Sequence, residues 1–268
     1  MAIVSILIPA YRNISGVVRI LDMIDPVLIE SGEMEVLISD DSEDAEVYSF
    51  LKQKCNYSQY CSILRGPQGG AVQNWNFLLS IASGRYIQFM HHDECPAVGS
   101  FFSEIILLAR TAIHKSQECV FYHGCRIKYP RVSRLHSFKV TARLLLKLHP
   151  HLLLRFNFLG SPSVVLVPAL PVHRFDESLV SLVDTDWYIA LRKRYDFRSS
   201  ELTVSCYPAS NSITSSLRKD GILEALTAEE RRRLSSPSRS GEILQFLVGR
   251  FIWIINGLMA RALAVFSK

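Results

Sequence analysis

Four adjacent residues able to bind a metal or carry a proton, His91-His92-Asp93-Glu94, follow directly on the apolar run Tyr86 to Met90 and stop at Pro96. Imidazole and carboxylate side by side offer mixed nitrogen and oxygen donors to a divalent cation. They equally offer groups for proton transfer, and the bland alternative is that they only finish a strand. Two pairs of carboxylates stand elsewhere. Asp40-Asp41 closes the run MEVLIS, and Asp184 and Asp186 flank Thr185 in VDTDW. Asp41, like Asp44, is equally suited to an Asx turn or a helix N-cap. Asp184 and Asp186 suit the positive end of a helix. Two positions apart, they do not share one helical face, so one of them at most points into a common site.

The surrounding pattern says what positions these groups. IVSILIPA (3–10) is a continuous β-branched run, as expected of a strand buried on both faces. A helical pattern follows through Val17, Val18, Ile20, Leu21 and Ile24. MEVLIS (34–39) reads as a strand, 44–54 as a helix and SIL (62–64) as a short strand. Turn residues Gly66, Pro67, Gly69 and Gly70 come next, then a helix over 71–82 with Gly84 as its C-cap, and the strand YIQFM (86–90). Alternating strand and helix predicts an α/β fold with a mostly parallel sheet flanked by helices. Ligands bind at the carboxyl ends of such strands. Pro9-Ala10-Tyr11-Arg12, Asp40-Asp41 and His91 to Glu94 all fall at those ends.

The second half differs in charge. Residues 119–175 contain no Asp or Glu but carry Arg126, Lys128, Arg131, Arg134, Lys139, Arg143, Lys147, Arg155 and Arg174. Acids return in DESLVSLVDTDWYIALRKRYD (176–196), a helix whose end holds Arg192, Lys193 and Arg194. SSPSRSG (235–241) precedes a strongly apolar tail, 242–268, in which Arg250 and Arg261 share a helical face. That pattern fits a helix lying in a membrane interface, or one buried on the protein's own core or a dimer interface. The 268 residues are 49% hydrophobic with a net charge of +5, enough for a sizeable core and compatible with an anionic partner. The six cysteines form no CxxC pair and read as reduced thiols. The start, MAIVSILIPAYRN, shows no signal-peptide pattern.

SILIPAYRN, then VLISDDSED, then GGAVQNWNFLLSIASGRYIQFMHHDE, resembles the nucleotide-binding half of family-2 inverting glycosyltransferases of the GT-A fold over about residues 3–95. Gly160-Ser161-Pro162-Ser163 and FDESLVSLVDTDWYIALR resemble the acceptor loop and catalytic-base helix of the same family more loosely, and the likeness fades after about residue 215. It implies a nucleotide-sugar-binding half at 1–96, an acceptor and catalytic half of the same domain at 97–215, and a helical tail at 216–268. Asp93 would hold the metal. The family's first acidic position is here His91, which removes one negative charge and shifts preference from Mg²⁺ toward Mn²⁺, and Glu94 would ligate the ion or face the sugar. A zinc hydrolase would need a further strong ligand at suitable spacing, and no HExxH-type helix is present.

Asp40 is expected to accept the N3–H of uracil, with Asp41 beside it. Pro9, Ala10 and Tyr11 would line the nucleoside. Arg12 stands where the family has Asn and would contact phosphate or remain solvated. Gln73, Asn74 and Asn76 would turn amides toward ribose or diphosphate, and His92 completes the donor set. Trp75 reads as core. On the acceptor side stand Gly160, Ser161, Pro162, Ser163 and Trp187. Inverting transfer needs one base, here Asp184 ahead of Asp186. The expected activity is transfer of a hexosyl-type sugar from a nucleoside diphosphate sugar, UDP-sugar first, to a glycan or lipid-linked acceptor, in polysaccharide assembly. The expected place is the cytoplasm, peripherally on the inner surface of the membrane. No nucleic acid is expected, and the oligomeric state stays open. A nucleotidyltransferase and a non-catalytic nucleotide-sugar binder remain alternatives; against the first, no glycine-rich activation loop follows the first strand.

Overall fold

The computed structural model describes residues 1–129, 133–135, 139–169, 173–207, 221–234 and 251. The linker 235–241 and, apart from Phe251, the tail 242–268 lie outside the described residues.

Strand β1 (Val4–Ala10) is buried along its whole length. Full burial of side chains such as Ile6, Leu7 and Ile8 contributes roughly 1.5–3 kcal/mol each, so the loop that follows β1 leaves a firmly anchored strand. Helices α1 (Ile14–Leu21) and α2 (Pro26–Glu30) lead to β2 (Met34–Asp40). Helices α3 (Glu46–Gln53) and α4 (Cys55–Ser58) then precede β3 (Ser62–Arg65). Helix α5 (Ala71–Ile81) connects to β4 (Tyr86–Phe89), and the short β5 (Glu94–Pro96) follows five residues later. The second half comprises α6 (Phe101–His114), β6 (Val120–Lys128), β7 (Ser133–Leu135), α7 (Lys139–Leu148), β8 (Val165–Pro168), α8 (Val183–Arg194), β9 (Phe197–Cys206) and α9 (Leu223–Leu234). Two 3₁₀ turns, Pro150–Leu154 and Pro162–Val164, stand between α7 and β8.

One sheet joins both halves in the order β3-β2-β1-β4-β8-β6-β9-β5, with β7 on the free part of β6. Strands β1, β2, β3, β4, β6 and β9 run one way, and β5, β7 and β8 run against them. The mostly parallel sheet expected from the sequence is therefore present. The register pairs Ala10 with Asp40 and Asp40 with Arg65, which aligns the carboxyl ends of β1, β2 and β3.

Gly84 is not the C-cap expected for α5. The helix ends at Ile81, with the extended Ala82 as cap. Gly84 instead lies against β1, donating to Ser5 Oγ at 2.8 Å. A Cβ there would stand 2.6 Å from the Ser5 nitrogen, so only glycine permits this approach. Among the described residues no helix is long and apolar enough to cross a membrane. Cys61, Cys95, Cys119, Cys125 and Cys206 are free thiols.

Candidate active site

His91, Asp93 and Glu94 sit on the loop between β4 and β5. One ligand atom from each lies within 4.8 Å of the others. The loop is pinned from several sides. His91 N donates to Ser163 Oγ at 3.0 Å, and Glu94 N donates back to His91 O at 2.9 Å. Asn13 Nδ2 donates to His92 O at 3.1 Å, and Tyr207 N donates to Asp93 O at 2.8 Å. His92 Nδ1 faces Pro9 O at 3.3 Å. A carbonyl only accepts, so that nitrogen carries the proton. Helix α1 comes so near that a Cβ on Gly16 would lie 1.8 Å from His92 O.

Two atoms of this cluster, His91 Nε2 and Glu94 Oε2, are buried without a hydrogen-bond partner. An orphaned buried polar atom costs free energy, and here the orphans are a nitrogen and an oxygen on residues of one cluster. His91 Nδ1 lies 3.6 Å from Glu94 Oε2. Burial pushes the His91 imidazolium down to about 4, so the ring is neutral and has a lone pair to give. Burial pushes the Asp93 carboxyl up, and the charge of Glu94 adds to this. Glu94 is likewise raised by burial, although hydrogen bonds from Ser161 and Ser163 oppose the shift. Two desolvated carboxylates beside a neutral imidazole are a donor set that suits a divalent cation, which would neutralise both. Trp75, expected in the core, is only partly buried and stacks on His91 with centroids 4.9 Å apart and 18° between planes.

The donor residues divide differently from expectation. Asp40 is wholly buried and turned into the protein. Its Oδ1 accepts from Ser42 N at 3.0 Å and from the Ser42 hydroxyl, and its Oδ2 accepts from Tyr48 N at 2.8 Å. Arg65 stands 3.9 Å away. Asp40 thus fastens the start of α3 to β2, with both carboxylate oxygens already accepting within the protein. Asp41 instead faces the glycine-rich turn, where Oδ1 accepts from Gln68 N at 2.6 Å and Oδ2 from Gly70 N at 3.1 Å. Asn74 and Asn76 are also spent internally. Asn74 donates to Ser39 O at 3.2 Å. Asn76 exchanges bonds with the Phe175 backbone, at 3.0 Å as donor and 2.9 Å as acceptor, and donates to Glu177. Both amides thus hold neighbouring backbone in place. Gln73 is exposed and lies over Gly69. Pro9 and Ala10 are buried, while Tyr11 is 42% exposed. Arg12 is exposed, holds φ +49° and pairs with Glu43 at 2.8 Å.

On the other side, the two carboxylates of α8 part company. Asp184 is pushed up to about 7, by burial first and then by the charge of Glu94. Asp186 is raised by burial and by Asp176, and His173 and Lys193 oppose this, so it faces the 173–176 segment. Tyr188, one turn beyond Asp184, donates to Gly160 O at 3.1 Å. The expected acceptor loop buttresses the cluster. Gly160, Pro162 and Ser163 are buried, and Ser163 uses its hydroxyl on His91 and its carbonyl on Gln88. The Ser161 hydroxyl donates to Glu94. Trp187 is 1% exposed, stacks on Phe175 and donates to His173 O at 2.7 Å, so it belongs to the core. Glu230, absent from the expectations, accepts from Val180 N at 2.7 Å and Leu182 N at 2.8 Å. From α9 it thereby secures the chain that leads into the Asp184 helix. A glutamate in the polar helix LEALTAEERRRL gives no sequence signal for that role.

The fold recurs in known proteins. The family model described as "Glycosyl transferase family 2" matches residues 5–149, more than half of the chain. No curated protein matches the chain in sequence. Among solved structures, TarS of S. aureus, residues 1–349 in complex with UDP-GlcNAc, superposes with a TM-score of 0.56 at 17% identity, covering 81% of this chain and 61% of that one. A second structure of S. aureus TarS gives 0.55 at 19% identity and covers 90% and 45%. The chain therefore spans about three fifths and under half of these two chains, and the likeness is one of fold. Together with the family match, it places the chain in glycosyl transferase family 2.

Proposed function

We propose that this protein transfers one hexosyl-type sugar from a nucleoside diphosphate sugar, a UDP-sugar first, to a hydroxyl group of a glycan or lipid-linked acceptor, with inversion and with a divalent cation. TarS, whose structures hold UDP-GlcNAc and UDP, is the ground for uracil. The observation that carries the reading is the meeting of the orphaned His91–Asp93–Glu94 cluster with Asp184 behind it. His91, Asp93 and Glu94 would hold the ion, with Mn²⁺ preferred over Mg²⁺ because one donor is imidazole. When bound, such an ion stabilises the charge of a departing diphosphate.

The chain's own groups supply the rest. Tyr11 offers an exposed face for the base, and Asp41 with the 66–70 turn offers the polar edge that Asp40 does not. Asp184 removes the acceptor proton as the hydroxyl attacks. A carboxyl near 7 is well matched to that task at neutral pH. One base suffices for inversion, and Asp186, which faces the 173–176 segment, is not needed as a second. Polysaccharide assembly at the inner surface of the membrane is the setting that the basic middle segment and apolar tail favour. Titration with UDP, GDP and dTDP in Mn²⁺, followed by transfer assays with the matching donor sugars, tests the reading. Turnover of a UDP-sugar that is lost on chelation supports it. Failure of every nucleotide to bind overturns it.

A further inference from the structure

The opposite end of the sheet carries a feature that glycosyl transfer does not use. There the last turns of α7 and α8 meet the start of β9 around a cavity of about 240 Å³ whose wall includes Arg143, Lys147, Arg192, Arg198 and a single carboxylate, Asp196. Arg192 is held in place by donating to Leu146 O at 3.2 Å and Tyr195 O at 3.3 Å. Asp196 is 81% exposed, 3.6 Å from Arg192, so the cationic excess is little compensated. Arg143 and Lys147 lie one turn apart on α7, within the stretch that holds no acid.

A second cavity, about 230 Å³, has Arg198 in its wall too. Its lining is largely apolar, with Leu107, Leu108, Ala112 and Phe121, and Leu107 is 60% exposed. Arg198 Nη2 donates to Gln117 Oε1 at 3.2 Å, between the two cavities' linings. A cationic cavity and an apolar one that share a wall complement a molecule with an anionic head and a hydrocarbon body.

We infer that this end of the protein binds an anionic membrane lipid. Its phosphate enters the cavity of Arg143, Lys147, Arg192 and Arg198, where guanidinium forks and an ammonium match phosphate oxygens. The adjoining hydrocarbon rests on Leu107 and Phe121. The inference is independent of the donor site, since β9 and β6 start here and run toward the catalytic edge. Asp184 and Arg192 are two turns apart on α8, about 12 Å along its axis. Docked this way, the protein turns its catalytic edge from the lipid surface, which selects a glycan end reaching into solution among the acceptors proposed above.

The test is co-flotation of the full chain with vesicles of phosphatidylcholine alone or mixed with phosphatidylglycerol. Arg143→Glu/Lys147→Glu, Arg198→Glu and Leu107→Ser are compared with wild type, all carrying the same tail. The inference requires wild type to float with the anionic vesicles only. It also requires the double charge reversal to weaken binding about tenfold or more, with melting temperature and donor binding unchanged. Leu107→Ser, which alters no charge, should weaken it as well. Equal flotation of wild type and variants overturns the inference. So does no flotation of wild type, and so does stabilisation by inorganic phosphate with no vesicle binding, which would assign the cavity to a free phosphate.

Discussion

Replacing Asp184 by Asn should slow the reaction and stabilise the fold. The carboxyl titrates near 3.8 in an unfolded chain and is pushed up to about 7 in the folded one, by burial and by Glu94. Between those values the folded state binds the proton and the unfolded state does not. Stability therefore falls as pH rises from about 4 to about 7 and is level above, and the loss amounts to at most roughly 4 kcal/mol. Asparagine has nothing to ionise and escapes this loss. Urea unfolding in chelator should give the two proteins similar stability near about pH 4 and leave the variant ahead by up to roughly 4 kcal/mol at about pH 8. Titrating groups that do not interact with Asp184 are common to both and cancel. Losing the base should lower the transfer rate about 10²–10⁴-fold with donor affinity kept. The wild-type rate should fall about tenfold for each pH step below about 7, where the base is protonated. A variant that gains no stability between those pH values refutes the buried-charge argument. A rate loss under about tenfold, with a large loss in Asp186→Asn, reverses the assignment of the base.

Asp93→Ala should abolish donor turnover, and His91→Asp should keep it while shifting preference toward Mg²⁺; full Asp93→Ala activity in chelator removes the metal from the mechanism. Gly16→Ala forces a Cβ into the His92 carbonyl, so it should cost about 1–3 kcal/mol of stability and weaken Mn²⁺ binding; a normal melt and normal metal titration would show that the loop yields freely. Asp40→Ala strands two backbone donors and should lower the melting temperature without weakening UDP binding by the folded protein, whereas Asp41→Ala should weaken UDP binding more than stability. Calorimetric titration with UDP separates the two, and equal effects would return Asp40 to the base pocket.

The parallel core was legible because its signals are local. A β-branched run such as IVSILIPA has one comfortable conformation and one comfortable depth, and β1 is buried throughout as that pattern requires. The cluster after β4 was legible for the same reason, since three ligands within four residues need no tertiary information. What the sequence did not show is direction. Asn74, Asn76 and Trp187 have side chains that serve a ligand or a core equally well, and the partner decides. For Asn76 that partner is the Phe175 backbone, 99 residues away. Glu230 is the extreme case, because its partners at Val180 to Leu182 lie some fifty residues upstream, so no window of sequence joins them.

The two carboxylate pairs show why spacing alone fell short, and they resolve by one physical rule. In each pair the two acids differ in how far donors or cations offset their burial. Asp40 accepts three hydrogen bonds within the protein and needs nothing more. Asp41, one residue on, is raised by desolvation even with two backbone donors. Asp186 has His173 and Lys193 to offset its burial. Asp184 has Glu94, a like charge, and is raised furthest of the α8 pair. An acid raised by burial and by a like charge, beside the His91–Asp93–Glu94 cluster, marks a functional site. A cation on the cluster and a hydroxyl group on Asp184 would relieve both charges together, as the proposed function requires.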